Sequence, residues 1–78
     1  MPDRSRTNTP EVEEAVAEAF NASCDPWCGP NGFITYFEHG RWWLRTLDPH
    51  PATRRFVTYE VVDEPDDCAG FTFKEVPT

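Results

Sequence analysis

The chain has 78 residues, with fourteen Asp and Glu against seven Lys and Arg and a formal charge of −7. That length holds one hydrophobic core and no second, and in so small a domain the gain from apolar burial barely exceeds the cost of ordering the chain. The charge, with Lys74 the single lysine, disfavours direct binding to nucleic acid, where affinity comes from Lys and Arg displacing counterions from phosphates.

Residues 1–8 are polar, carry Arg4 and Arg6, and read as a disordered tail ahead of a single domain over residues 9–78. Thr9-Pro10-Glu11 is a helix start: a hydroxyl N-cap, proline at the first helical position and an acid where the helix dipole favours one. Val12, Ala15, Val16, Ala19 and Phe20 then fall on one stripe, with Glu11, Glu13, Glu14 and Glu18 off it. The spacing predicts an amphipathic helix of about three turns ending near Asn21 or Ala22. Residues 23–31, with two prolines, Asp25, Gly29 and Asn31, predict an irregular connection, in which Trp27 is placed to plug one end of the core.

Residues 32–47 read as a β-hairpin around a His39-Gly40 turn of type I′, which needs positive φ at both central residues. That turn pairs Glu38 with Arg41, Tyr36 with Trp43 and Phe33 with Thr46. Alternation then places Phe33, Thr35, Phe37, Trp42, Leu44 and Thr46 on a core face to be covered by the helix. Ile34, Tyr36, Glu38, Arg41, Trp43 and Arg45 fall on the opposite face, as a Tyr–Trp cross-strand pair flanked by a Glu38–Arg41 ion pair and a second arginine. After a proline-rich loop over residues 48–53, the alternation in RRFVTYEVV predicts a third strand, with Val57, Tyr59 and Val61 on one side and Phe56, Thr58, Glu60 and Val62 on the other. The loop length leaves open which side is core. Residues 71–76 predict a short fourth strand, its edge blunted by Lys74. The fold expected is α+β: one N-terminal amphipathic helix packed across a four-stranded antiparallel β-meander.

Cys24, Cys28 and Cys68 are too few and too odd in number for a disulfide framework. With no apolar leader at the start of the sequence, they predict a reduced, cytoplasmic protein. Cys24 and Cys28, spaced C-x3-C around Asp25, are weak metal-ligand candidates together with His50. His39 and Cys68 belong at the other end of a meander, a strand length away. Calcium would need an Asp-rich loop with a distal glutamate, which the acidic turn of Asp63, Glu64, Asp66 and Asp67 lacks. No nucleophile elbow, phosphate-binding loop, dinucleotide fingerprint or cofactor motif occurs, and one helix leaves little room for a pocket of several hundred Å³. A non-enzymatic protein is therefore expected, with no cofactor and no membrane span.

The reading that follows is a small interaction module whose second sheet face, around Tyr36, Trp43, Arg41, Arg45 and Ile34, meets a protein partner or a second copy, since aromatics and arginine are enriched at interface centres. One alternative is an acidic inhibitor or nucleic-acid mimic, in which Glu11, Glu14 and Glu18 with Asp63, Glu64, Asp66 and Asp67 occupy a basic groove. A second alternative is a thiol-based metal-binding domain.

Overall fold

A computed structural model describes residues 3–23, 26–63 and 70–77. Helix α1 (Pro10–Ala22) lies across one face of an antiparallel sheet whose strands β1 (Phe33–Glu38), β2 (Arg41–Pro49), β3 (Phe56–Val62) and β4 (Thr72–Glu75) stand side by side in chain order. This is the α+β meander that the patterning predicts.

The local causes are visible at each boundary. Thr9 caps α1 by accepting the Val12 N–H on its hydroxyl, Pro10 occupies the first turn, and the N–H of Ser23 closes the far end onto Phe20 O. The apolar stripe turns inward: Val16, Ala19 and Phe20 are buried, with Val12 and Ala15 packed at the margin. Phe20 is the central rivet, since its ring meets Phe33, Tyr59 and Phe73 from three different strands at 4.7, 5.6 and 5.1 Å. In the hairpin, His39 and Gly40 both have positive φ, at 55° and 77°. The register runs from Glu38↔Arg41 to Phe33↔Thr46 as the two-residue turn requires.

The orientation of β3, left open by its loop, is fixed by a shift in the β2–β3 ladder. Arg45 pairs with Thr58 but Pro49 pairs with Phe56, so β2 carries two extra residues there. Buried Thr46 repairs the gap. Its hydroxyl accepts the Val57 N–H at 3.1 Å and donates to Asp48 O at 2.9 Å, giving a ladder donor the partner that the bulge removes. Val57, Tyr59 and Val61 consequently join Trp42 and Leu44 in the core.

Residues 3–8 differ from the disordered tail read in the sequence. Asp3 caps a 3-10 turn over Arg4–Arg6 through the Ser5 N–H, and Ser5 is buried. Arg4 bridges Asp63 at 3.0 Å while its guanidinium lies 4.4 Å from the centre of the Phe71 ring. The Trp42 indole N–H donates to Thr7 O at 2.7 Å. A polar composition hid this packing because its contacts are an ion pair, a cation–π contact and a backbone acceptor rather than an apolar stripe. No described helix is long and apolar enough to cross a membrane.

Candidate functional site

The strands present their other face without cover from α1. Alternation along β1, β2 and β3 puts Ile34 and Tyr36, Arg41, Trp43, Arg45 and Leu47, and Phe56, Thr58 and Glu60 on it. The five residues expected to meet a partner therefore do share one surface, joined by residues of β3.

Within that surface the charges pair differently from the expectation. Arg41 bridges Glu60 on β3 at 3.0 Å rather than its hairpin partner Glu38. The reason is geometric: Glu60 stands opposite Trp43, one pleat along from Arg41, where its carboxylate meets the guanidinium diagonally. Arg45 lies over the Phe56 ring, 5.0 Å from its centre, and the Trp43 indole N–H donates to Glu38 O at 2.7 Å. Both arginines and the tryptophan are thus held in place by neighbours on the same face.

The apolar weight of this surface sits at one end of it. Ile34, Leu47 and Phe56 are the large hydrophobic side chains left exposed among the described residues, at 47, 45 and 44%. Ile34 pairs with Arg45, Leu47 follows two residues along the same strand, and Phe56 lies under Arg45. The three surround that arginine. Leu47 and Phe56 were missing from the face deduced from the hairpin alone. Alternation beyond Thr46 signals Leu47, but Phe56 needed the β3 orientation, which depends on the bulge at Thr46.

The acidic candidates separate. Glu11, Glu14 and Glu18 are exposed on the outward side of α1, and no ion pair among the described residues engages them. Asp63 is not a free surface carboxylate. Arg4 contacts it through its backbone N–H and guanidinium, and those hydrogen bonds hold its carboxyl below the usual range. Glu64, Asp66 and Asp67 lie outside the described residues, as do Cys24, Asp25 and Cys68.

Of the metal candidates, Cys28 and His50 belong to the same end of the sheet. The His50 ring packs 4.8 Å from that of Trp27, and its Nδ1 accepts the Ala52 N–H. Cys28 is exposed, yet desolvation of its thiol, with the nearby Asp48 charge, raises its pKa, which works against the thiolate that a metal or a nucleophilic role requires. Among the described residues no three His, Cys, Asp or Glu side chains converge as ligands.

A surface groove of about 540 Å³, larger than a one-helix domain was expected to offer, opens beside this end. Trp27, His50, Tyr59, Phe73 and Glu75 line it. It exists because α1 ends at Ala22 and leaves that end of the core face to a loop. The loop is pinned by Tyr59, whose hydroxyl accepts the Trp27 N–H at 2.9 Å and donates to Trp27 O at 3.2 Å. Burial raises the pKa of that phenol. The Thr53 hydroxyl accepts the Arg55 N–H, so several of the groove's polar atoms already serve the local backbone.

No protein-family model, curated protein or solved structure matches the chain.

Proposed function

We propose that the protein is a non-enzymatic interaction module whose outer sheet face binds a protein partner, with Ile34, Leu47 and Phe56 as the apolar centre and Arg41, Trp43 and Arg45 as its ordered surround. The observation that carries this reading is the grouping of the three large hydrophobics exposed among the described residues around one arginine on one face. Scattered singly, such side chains need no explanation; gathered on one surface with polar neighbours, they mark a contact site. Side chains already fixed in the free protein also lose less entropy on docking, which favours affinity.

The face is tested by capture from an extract with immobilised wild type, Phe56→Asp and Trp43→Ala, each checked for native circular dichroism. A partner held by wild type should be lost with Phe56→Asp and bound about thirty-fold more weakly by Trp43→Ala, the loss of a hot-spot residue worth about 2 kcal/mol. Binding should change little with salt. Capture that survives both substitutions but disappears in raised salt would move the activity to the carboxylates of α1, since exposed charges are screened beyond about 8–10 Å.

A further inference from the structure

The two edges of the sheet are unequally protected. Strand β4 is four residues long, carries Lys74 and Glu75, and is followed within two residues by Pro77. Short length, charge and proline are the devices that keep an edge from pairing with another chain. Strand β1 has none of them. It runs Phe33-Ile34-Thr35-Tyr36-Phe37-Glu38, without proline, lysine or a bulge, and its one charge sits at the turn.

The phase of the hairpin ladder identifies the groups at that edge. Leu47 N–H bonds to Gly32 O at 3.0 Å, so the residues that exchange bonds with β2 are Ile34, Tyr36 and Glu38, every second one along the strand. The N–H and C=O groups of Phe33, Thr35 and Phe37 point away from β2. Strand β1 pairs only with β2, and no backbone hydrogen bond among the described residues reaches its outer side.

We infer that this edge pairs with β1 of a second copy, antiparallel about a two-fold axis at Thr35, to form a continuous eight-stranded sheet. The register follows from the sequence of the edge. Centring on Thr35 sets Phe33 opposite Phe37 of the second copy and Thr35 opposite its counterpart, using every outward amide in about six interchain hydrogen bonds. Ile34 then faces Tyr36 of the second copy in the closely spaced pairs, bringing an exposed aliphatic side chain against an aromatic one. Glu38, the only charge on the strand, meets Gly32 rather than another carboxylate. Displacing the axis by one residue either way leaves an outward amide without a partner. An isologous contact needs a patch complementary to itself, and β1 supplies one. The charge of −7 on each copy opposes association at long range, so pairing strengthens with added salt. This surface is the edge, not the face, and shares only Ile34 with the site proposed above.

The test combines solution mass and backbone exchange on the wild type with register-specific crosslinking. Light scattering over a hundredfold range of concentration should show monomer passing to dimer, at lower concentration in higher salt. Amide exchange at Phe33, Thr35 and Phe37 should slow as the dimer forms. In a background with Cys24, Cys28 and Cys68 replaced by serine, Ile34→Cys chains mixed with Tyr36→Cys chains should crosslink under mild oxidation, because closely spaced partners lie about 4.5 Å apart between Cα atoms. Either variant alone should stay uncrosslinked. A wild type that remains monomeric throughout overturns the inference, and the outer-face reading then still rests on its own capture experiment. A dimer that Phe56→Asp dissociates, with exchange at those three amides unchanged, overturns it in favour of association through the outer face. Crosslinking equal in the separate and mixed samples overturns the register.

Discussion

Trp42 and Trp43 are adjacent in β2 and stand on opposite faces of one sheet. Trp42 is 2% exposed, packs edge-on against Phe37 at 5.5 Å and donates its indole N–H to Thr7 O. Trp43 is only half-buried, lies beside Tyr36 and donates its indole N–H to Glu38 O. Both indoles have the same chemistry, and both N–H groups are satisfied. What differs is what the described residues lay over them: α1 and residues 3–8 serve the core face, whereas among the described residues the outer face has only its own side chains. With one α-helix among the described residues, cover is scarce, and α1 leaves one aromatic-rich face without it.

The largest expected effect is the asymmetry itself. Trp42→Ala should cost about 3–5 kcal/mol, as for a large aromatic removed from a closed core, which is enough to unfold much of a domain whose whole stability is on the order of 5 kcal/mol. Urea titration followed by far-ultraviolet circular dichroism measures it. A loss below about 1 kcal/mol would show that the core face closes less tightly than the burial of Trp42 indicates.

The next effect belongs to the bulge that decides which side of β3 faces inward. Thr46→Val keeps shape and volume but removes the oxygen that accepts the Val57 N–H, leaving a buried donor unpaired at about 1–3 kcal/mol. Thr46→Ser retains the oxygen, so its loss should be limited to the missing methyl group, about 1 kcal/mol. If valine and serine cost the same, packing rather than the hydrogen bond holds the bulge.

A smaller effect tests the cover given by residues 3–8. Arg4→Ala removes the partner of Asp63 and the cation over Phe71, at about 0.5–1 kcal/mol near neutral pH after allowance for the half-exposed guanidinium. Because Arg4 lowers the pKa of Asp63 in the folded protein, the ion-pair contribution is present above the ordinary carboxylate value of about 3.9 and fades as pH falls through the lower folded value. Wild type and Arg4→Ala should therefore draw together in acid, keeping only the difference due to Phe71. A gap that is constant with pH would assign the whole effect to that ring contact.

Much of this architecture was legible in the sequence, for a reason specific to each element. The hairpin register followed from His39-Gly40 because positive φ at both positions admits few turns, and the helix followed from Thr9-Pro10 and a continuous stripe. Phe56 was not assigned to a face because its side depends on an irregular ladder, and an inserted pair of residues in β2 leaves no periodic signal. The Arg4 contacts were hidden in a polar segment whose partners, Asp63 and Phe71, lie some sixty residues away. The partner of Arg41 was misjudged because a hairpin read alone contains Glu38 but not the third strand that supplies Glu60. Local chemistry was readable; choices among distant partners were not.

The smallest expected change in stability sharpens the comparison most. Trp43→Ala removes a half-exposed ring and one cross-strand pair with Tyr36, an interaction worth about 0.2–1 kcal/mol, and its indole bond to Glu38 O lies at an exposed turn where water replaces it. The urea midpoint should shift only slightly, with an unchanged slope, because the surface exposed on unfolding is nearly the same. Set beside Trp42→Ala, the two results separate what the sheet needs in order to fold from what it carries in excess of folding. A tryptophan that contributes little to stability, with its indole held by Glu38 O, would be the result that the proposed contact role for the outer face requires. Were Trp43→Ala to cost about 3 kcal/mol, as for a buried aromatic, Trp43 would instead be part of the folding core and the outer face would lose its claim to a separate role.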